Sequence, residues 1–549
     1  MTSQTDARAV QAAAAGGVLL TLASAQFLMT LDSSVMNVSM ATVAEDLGTT
    51  ITVIQTAITL YTLVMATLMI TGGKIGSLVG RRRAFAIGCV IYGTGSFVTG
   101  IAPNLAVLIV GWSFLEGVGA ALILPAVVAL VAGNFAASGR PRAYGLIAAA
   151  GAIAVAAGPL IGGAATTYAS WRWVFFGEVI VVAGILVLSR RMADTPAESK
   201  AKLDLVGTLL SVLGLGMFVY GVLRSSEWGW LIARDNEPGL AGISLTFWLM
   251  GAGLLVVWLF LLWEARMVRR GGEPLVRPEI FRVSQLTGGL LMFFFQFLLQ
   301  AGIFFVIPLY LSVDLALSAM ATGVRLMPLS IALLAAAVGV PKLWPHASPR
   351  RVVRVGILLM LAGIITLLSG ITLDSGPAVV TVPMLFVGLG IGALASQLGA
   401  VTVSSVPTDQ SGEVGGLQNT ATNLGASLGT ALAGSILISM LTASLIAGIR
   451  DNPQVPDSVK SQASVQLASG VPFLSDAQAQ AALEKAGVPA DVTTEIVDAN
   501  AQARADGLDA ALAVLALLAV VSLMFTGRIP DHQPAGDDSE TASEAGAAT

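Results

Sequence analysis

Hydrophobic positions along this chain form long, continuous runs, and the short stretches between them hold most of the charged residues. A helical run of about 20 apolar residues matches the hydrocarbon thickness of a bilayer. The strands of a membrane β-barrel would instead alternate between hydrophobic and polar positions. The pattern therefore predicts an all-α polytopic membrane protein with fourteen spans, at about 16–40, 51–72, 84–102, 105–130, 143–168, 174–190, 204–223, 243–263, 286–312, 321–343, 352–373, 378–403, 417–447 and 508–527.

Composition excludes several other classes of protein. Of the 549 residues, 55% are hydrophobic and 11% are charged, whereas soluble domains carry about 25% charged residues. The net charge is −4, and no basic segment indicates a nucleic-acid partner. The single cysteine cannot form an internal disulfide, and with two scattered histidines it predicts neither a metal site nor a cofactor. No nucleotide-binding loop or nucleophile–base pair occurs, so we expect no enzyme activity and no catalytic residues.

The distribution of basic residues predicts the orientation. Most of the 29 lysines and arginines fall in loops after even-numbered helices or near the two ends of the chain. By the positive-inside rule, both termini are cytoplasmic in a multi-pass protein of the plasma (inner) membrane. The first run is too long for the apolar region of a signal peptide and is interpreted as helix 1, after a cytoplasmic N-terminus at 1–15. The long segment 448–507 is then extracellular, and its stretch "SDAQAQAALEKAGVP" predicts a helix capped by Ser475 or Asp476.

Two motifs recur at the same offset. The loop after helix 2 reads "GGKIGSLVGRRRAF" and the loop after helix 10 reads "GVPKLWPHASPRRVVR". Helix 5 carries "AAGPLIGG" and helix 13 carries "LGASLGTALAG". Both pairs lie eight helices apart, which predicts two duplicated six-helix halves, a plan of many transporters. The predicted domains are the N-terminal half at 16–190, an inserted helix pair at 204–263, the C-terminal half at 286–527 and a disordered cytoplasmic tail at 528–549.

Two carboxylates fall inside predicted spans. Asp32 lies in "TLDSSVMNVS" of helix 1, where a charge costs about 3 kcal/mol or more, and Glu116 lies in helix 4. At 1.5 Å of rise per residue the two acids come out at similar depth, so neighbouring helices would place them in one cavity. Two carboxylates in such a cavity disfavour each other's charge, which suits them to bind and release protons. The alternatives for Asp32 are a structural hydrogen bond to a neighbouring helix and a span that has been drawn too long.

Other polar residues are candidates for a substrate cavity. Aligning the two halves places Gln296 and Gln300 of helix 9 opposite Asp32 of helix 1, so we expect these three side chains to converge near the midplane. Each further candidate also has a plain packing or interface explanation; they are Gln26, Tyr61, Glu178 and Asn423.

Conformational change is predicted at two glycine-containing segments. The helix 5 glycines permit close packing and a bend, and the arginine cluster after helix 2 holds its loop in the cytoplasm. The candidate residues are Gly73, Gly80, Arg81, Arg82, Gly158, Pro159, Gly162 and Gly163.

At these motifs the chain resembles the EmrB/QacA-type drug:H⁺ antiporters, the fourteen-helix branch of the major facilitator superfamily, over nearly its whole length. "LDSSVMNVSM" resembles the helix 1 motif LD-x-T-x-x-N-V-A-L-P, and "GGKIGSLVGRRRAF" resembles the loop motif G-x-L-x-D-x-x-G-R-R. "GPLIGG" with "WRWVFF" resembles the antiporter motif of helix 5 and its exit. The resemblance implies a major facilitator fold, energy from the proton gradient, and a lock role for the arginine cluster.

Two departures from this family bear on mechanism. The family's helix 4 motif R-x-x-Q-G corresponds here to "SFLEG", so Ser113 replaces the arginine and Glu116 the glutamine. Ser77 replaces the acid of the loop motif, which weakens the family's cytoplasmic lock. Our hypothesis is that Glu116 takes over a share of the proton chemistry.

The leading functional prediction is a proton-coupled antiporter that exports amphipathic, cationic drugs, because a cation and a proton would compete for the same carboxylate. The alternative is export of an endogenous lipid, siderophore or antibiotic by the same fold. Proton-coupled uptake ranks lower, since helix 1 carries one acid and not a cluster of charges. The partners of this protein would be a small amphipathic molecule, protons and the bilayer, and we expect a monomer.

Overall fold

The computed structural model describes residues 2–49, 51–136, 139–194, 202–233, 237–373, 375–407, 410–456, 460, 473–486 and 488–532. Within these residues the chain forms fourteen long helices: α1 Thr2–Asp46, α2 Ile51–Val79, α3 Arg81–Gly100, α4 Leu105–Asn134, α5 Arg140–Tyr168, α6 Arg172–Ser189, α7 Leu205–Trp228, α8 Leu245–Arg269, α9 Ser284–Asp314, α10 Ala319–Leu343, α11 Pro349–Gly370, α12 Thr381–Val403, α13 Ser411–Asp451 and α14 Ala490–Phe525.

Each long helix corresponds to one predicted span. Thirteen helices in the described part of the chain are long and apolar enough to cross a membrane, which supports the predicted count of fourteen approximately. The remaining helix, α3, is less apolar because it begins with three arginines and continues with many small polar residues. A short antiparallel hairpin joins α7 to α8, with β1 at Gly239–Leu240 and β2 at Ile243–Ser244.

Helix contacts repeat with an offset of eight helices. In the N-terminal half, α1–α6, helix α1 packs on α5, α2 on α4, and α3 on both α4 and α6. In the C-terminal half, α9–α14, helix α9 packs on α13, α10 on α12, and α11 on both α12 and α14. Helices α7 and α8 pack on each other, and α7 also contacts α2 and α13. Duplicated halves with an inserted pair would give this arrangement; the domain boundaries stay a prediction.

Glycines bring α5 close to α1. A Cβ atom at Gly158 would collide with the Ser34 side chain, and one at Gly162 would lie 3.0 Å from Val35 Cγ1. The packing predicted for these two glycines is therefore present. Gly163 is different, because a Cβ there would meet nothing within 4 Å, so it makes no close helix contact. The side chain of Pro159 lies outside the described residues.

The glycines of "LGASLGTALAG" play the matching part in the other half. Cβ atoms at Gly425 and Gly429 of α13 would collide with the carbonyl oxygens of Phe294 and Leu298 on α9. The repeated glycine motifs thus stand at the repeated α1–α5 and α9–α13 contacts. Small residues at such contacts let helix backbones approach in a membrane, where apolar burial alone gives no preference for helix association.

The two halves touch closely at the end of the bundle that carries the basic loops, called here the basic end. A Cβ at Gly73 of α2 would lie 2.5 Å from the Gly412 carbonyl oxygen of α13. A Cβ at Gly145 of α5 would lie 2.6 Å from the Ala337 carbonyl oxygen of α10. At both places only glycine fits between the halves, so the basic end is packed shut.

At the opposite end, the structure corrects the predicted loop 448–507. Helix α13 continues to Asp451 and α14 already begins at Ala490, so much of this segment is helical. The helix ends differ from the predicted ones because the spans were drawn from apolar runs alone, and a helix can continue past such a run with polar residues. The predicted short helix is confirmed at Asp476–Lys485, and Ser475 caps it in a capping box with Gln478.

Arg504 of α14 ties the helix Asp476–Lys485 to the bundle. Its guanidinium donates to Asp476 Oδ1 at 2.7 Å and to the Leu474 carbonyl oxygen at 2.9 Å. It also pairs with Asp314 at the end of α9. The helix Asp476–Lys485 is thereby fixed to the C-terminal half.

The start of the predicted disordered tail 528–549 is ordered. Ile529 is fully buried, and Arg350 of α11 pairs with Asp531 at 2.6 Å. The tail beyond this contact, 533–549, lies outside the described residues.

Candidate functional site

A cavity of about 420 Å³ lies between the two halves. Helices α1, α2, α4 and α5 supply one wall, and α9, α10, α12 and α13 supply the other. Four predicted cavity residues line it, namely Gln26, Gln296, Gln300 and Asn423. The wall also includes polar residues that the sequence reasoning did not assign to it: Thr30, Ser33, Gln418, Asn419 and Thr422.

The other acidic and phenolic candidates lie behind this wall. One carboxylate oxygen from each of Asp32, Glu116 and Glu178 falls within 4.8 Å of the others, and all three residues are buried. We call these residues the carboxylate cluster. The predicted proximity of Asp32 and Glu116 is therefore present, and Glu178 joins them from α6.

Helix geometry explains why Asp32 does not reach the cavity. Gln26, Met29, Thr30 and Ser33 line the cavity and follow the i, i+3, i+4, i+7 spacing of one helix face. Asp32 stands on the neighbouring face, turned toward α4. The expected convergence of Asp32 with the two α9 glutamines is thus not observed. Aligning the sequences of the two halves predicts how deep a residue lies along its helix, but not which way it faces around the helix axis.

Aromatic residues surround the cluster. The indole Nε1 of Trp112 donates to both oxygens of Asp32, at 2.8 and 3.0 Å. Tyr61, a predicted cavity residue, stacks on the Trp112 ring with centroids 5.0 Å apart and belongs to the cluster's surroundings instead. Trp112 and Glu116 both lie in a π-helical segment, Ile109–Glu116, of the kind found frequently at functional sites.

Hydroxyl groups hold the two glutamates. Glu178 accepts hydrogen bonds from Ser96 Oγ at 3.0 Å and Tyr92 OH at 3.3 Å, and Glu116 accepts one from Thr99 Oγ1 at 3.3 Å. The interface position considered for Glu178 is excluded by its burial. The sequence does contain a signal for the burial of Glu178. Predicted helix 3 carries several polar side chains, and polar side chains inside a membrane need buried partners.

The cluster has the chemistry of a proton or cation site. None of the ion pairs between described residues includes Asp32, Glu116 or Glu178. Three like charges this close in a buried site cannot all be ionised, so the cluster needs protons or a bound cation. The oxygens are near enough to share a metal ion, and the expectation of no metal stays a prediction.

The α2–α3 turn, which contains the predicted gating residues Gly80, Arg81 and Arg82, is tight and contacts the segment that follows α6. Gly80 has φ +98°, a left-handed conformation that glycine adopts readily. The Arg82 backbone N–H donates to Asp194 Oδ1 at 3.0 Å, and its guanidinium lies 3.8 Å from Asp194 Oδ2. Arg81 is buried. These residues fix the α2–α3 turn within the N-terminal half.

An ion-pair group that the sequence reasoning missed joins the halves at the basic end. The buried Lys74 ammonium of α2 lies 3.5 Å from Glu413 of α13 and 3.5 Å from Glu273, which follows α8. Ser77, which stands where the resembled motif has an acid, donates locally to the Lys74 carbonyl oxygen at 2.9 Å. The charge contact between the halves is therefore made by Lys74.

A bundle of paired helices with a polar cavity between its halves and buried acids beside it defines a multi-span membrane transporter of small molecules. This chain belongs to the Major Facilitator Superfamily, whose family profile matches residues 22–234 and 238–430.

Several curated relatives are resistance or export proteins. The chain is 31% identical to the puromycin resistance protein pur8 of Streptomyces alboniger, covering 76% of this chain and 81% of that one. It is 29% identical to the tetracenomycin C resistance and export protein of Streptomyces glaucescens, covering 77% and 76%. It is 26% identical to the multidrug efflux pump LfrA of Mycolicibacterium smegmatis, covering 92% and 95%.

Solved structures share the fold. The human organic anion transporter MFSD10 matches with a TM-score of 0.55 at 13% identity, covering 94% of this chain and 99% of that one. The proton:xylose symporter XylE bound to a glucose analogue matches with a TM-score of 0.54 at 13% identity, covering 95% and 98%.

Proposed function

We propose that this chain exports small amphipathic drugs or toxic compounds across the cell membrane in exchange for protons, as a member of the fourteen-helix EmrB/QacA-type branch. The carboxylate cluster carries the proposal, because three acids within 4.8 Å must take up and release protons or a cation as their surroundings change. The export direction is supported by relatives named for resistance to puromycin and for resistance to and export of tetracenomycin C.

The proposed cycle starts from the conformation described above. With both termini and the basic end in the cytoplasm, the contacts at Gly73 and Lys74 close the cytoplasmic side, and we assign this conformation to the outward-facing state. Because the cluster is already buried in this conformation, protons taken up from outside must neutralise it before the halves rock to the inward-facing state. Release of those protons to the cytoplasm lets the loaded transporter turn outward again.

Coupling runs through α1 in this scheme. Asp32, the cluster residue on α1, lies on one face of this helix, and Ser33, which lines the cavity, lies on the adjacent face. Protons and substrate therefore bind to different atoms, and each favours a different position of the same helix. This replaces direct competition for one carboxylate.

A second candidate is export of an endogenous antibiotic by the same machinery. Relatives named a cephamycin export protein of Amycolatopsis lactamdurans and a probable actinorhodin transporter of Streptomyces coelicolor favour it. Deleting the chain in its own organism would distinguish the two, since retention of an endogenous antibiotic in the cells supports this candidate.

The test uses purified protein in liposomes with an imposed pH gradient. Lumenal pH and uptake of radiolabelled puromycin and tetracenomycin C are followed for the wild type, Asp32→Asn, and the control Asp46→Asn at the solvent-exposed end of α1. We expect exchange of compound for protons in the wild type and control and none in Asp32→Asn. Normal exchange in Asp32→Asn, or wild-type transport that follows a sodium gradient without proton movement, would overturn the proton proposal.

A further inference from the structure

We propose that the cavity selects uncharged, hydrogen-bond-donating aromatic molecules over lipophilic cations. This inference rests on the proposed export function and names the class of substrate that the cavity accepts.

The cavity wall provides no counter-ion for a charged substrate. Among the described residues that line it, none is Asp, Glu, Lys or Arg. A cation that entered would lose its water without gaining an opposite charge, and burying an unpaired charge is strongly unfavourable. The acids of the carboxylate cluster are not part of the wall.

Carboxamides take the place of charges in the wall. Gln296 and Gln300 lie one turn apart on α9, so their side chains share a face. The Oε1 atoms of both are buried and accept no hydrogen bond from the protein. A buried acceptor without a donor is unfavourable, and rotation of either carboxamide would relieve this by presenting its oxygen to a cavity ligand that brings N–H or O–H groups.

Three other carboxamides of the wall, those of Gln26, Asn419 and Asn423, are already anchored by their nitrogens. Asn423 donates to the Asn419 carbonyl oxygen at 2.8 Å, and Asn419 donates to the Gly415 carbonyl oxygen at 2.9 Å. Gln26 donates to Thr30 Oγ1 at 3.3 Å. These bonds hold the amide groups in place before a ligand arrives, which reduces the entropy lost on binding.

Rings and thioethers supply the rest of the wall. Phe293, Phe297 and Tyr144 line the cavity with Met29 and Met65. Aromatic faces and soft sulfur atoms bind flat rings of varied outline. A volume of about 420 Å³ lies in the range of pockets that enclose drug-sized molecules. The wall thus fits a flat aromatic molecule with donor groups on its edge.

The test compares two coumarin probes that share one ring system, one bearing a carboxamide and the other a trimethylammonium group. Binding to the purified protein in lipid nanodiscs is measured by fluorescence anisotropy. We expect the carboxamide probe to bind at least about tenfold more tightly, since only it avoids burying an unpaired charge. Equal or tighter binding of the trimethylammonium probe would overturn the inference.

Variants locate the selectivity. Gln296→Leu and Gln300→Leu should each weaken binding of the carboxamide probe by about tenfold, the effect of losing one buried hydrogen bond. Gln300→Glu should reverse the preference toward the cationic probe. The matched control is Gln285→Leu, on the same helix but bonded to the Val401 carbonyl oxygen at the basic end, and it should bind as the wild type does.

The two proposals fail in different ways. If the wild type exchanges the trimethylammonium probe for protons in liposomes and rejects the carboxamide probe, export stands and this inference is overturned. If the carboxamide probe binds selectively but no compound moves with protons, the cavity assignment stands and the proton-coupled export proposal is overturned.

Discussion

The buried ion pair between Lys74 and Glu413 should hold the basic end of the transporter closed. Lys74 belongs to the N-terminal half and Glu413 to the C-terminal half, and their exposed side-chain fractions are 2% and 6%. Glu273 lies at the same 3.5 Å distance from the ammonium, but 44% of its side chain is exposed. One lysine therefore has a buried and a half-exposed partner at equal distance, and the two carboxylates can be removed separately.

The magnitudes follow from burial. Removing one partner of a buried pair costs about 3–5 kcal/mol, and the lower end applies to Glu413→Gln because Glu273 still faces the lysine. About 3 kcal/mol shifts an equilibrium roughly a hundredfold, so the closed basic end should lose most of its population to open forms. Glu273→Gln should cost less than about 1 kcal/mol, as exposed pairs do.

The opening is measured by electron–electron distance measurements in nanodiscs. Spin labels at Arg83 and Trp344, both exposed at the basic end and on opposite halves, report the separation in a Cys89→Ala background. We expect a longer distance to dominate in Glu413→Gln and the wild-type distribution in Glu273→Gln.

A double variant tests the physical reason. Lys74→Met with Glu413→Gln removes both buried charges, and replacing a whole buried pair is often nearly neutral, so it should return toward the closed distance. If Glu413→Gln leaves the distance unchanged, or if Glu273→Gln opens the basic end equally, the assignment of the lock to the buried pair is refuted.

Three further predictions concern other parts of the molecule. Glu178→Gln should abolish proton-driven transport in liposomes while the melting temperature stays within a few degrees of wild type; normal transport would remove Glu178 from the proton site. Gly158→Val should prevent stable expression because α1 leaves no space there, whereas Gly163→Val should express normally; equal yields would contradict the packing described. The neighbouring Arg172 lowers the pKa of Asp46, so this pair stabilises the fold at neutral pH and its contribution is lost as the pH falls through that lowered pKa. In thermal unfolding at pH 7, the free energy of unfolding of Asp46→Asn should therefore be lower than that of the wild type by less than about 1 kcal/mol. This difference in free energy should disappear in acid.

Much of the architecture could be predicted from the sequence because a bilayer imposes length and polarity on every span. The same constraint singled out Asp32 and Glu116, since a buried acid stands out in an apolar run. Depth along two helices sufficed to expect these acids together. The direction in which each residue faces around the helix axis could not be predicted. For that reason Asp32 was expected in the cavity, where the structure places Ser33 instead.

Contacts between distant segments were the part that could not be predicted. Lys74 was read only as part of a loop motif, because nothing near it in the chain shows that Glu413 lies against it. Glu178 was known to be inside a span, but its partners Tyr92 and Ser96 come from α3, and only the packing of α3 on α6 brings them together. Local patterns give depth and face, whereas such pairings depend on the tertiary arrangement.

The lengths of α13 and α14 have a practical consequence for imaging. Helix α13 has 41 residues, about 60 Å at 1.5 Å per residue, and a hydrocarbon core is about 30 Å thick. With the helix Asp476–Lys485 held by Arg504, the ends of α13 and α14 extend past the apolar core at the end opposite the basic loops. A small transporter embedded in a nanodisc offers few features for particle alignment in electron cryomicroscopy. Here this projection is a structured feature outside the nanodisc, and it should help to align the particles.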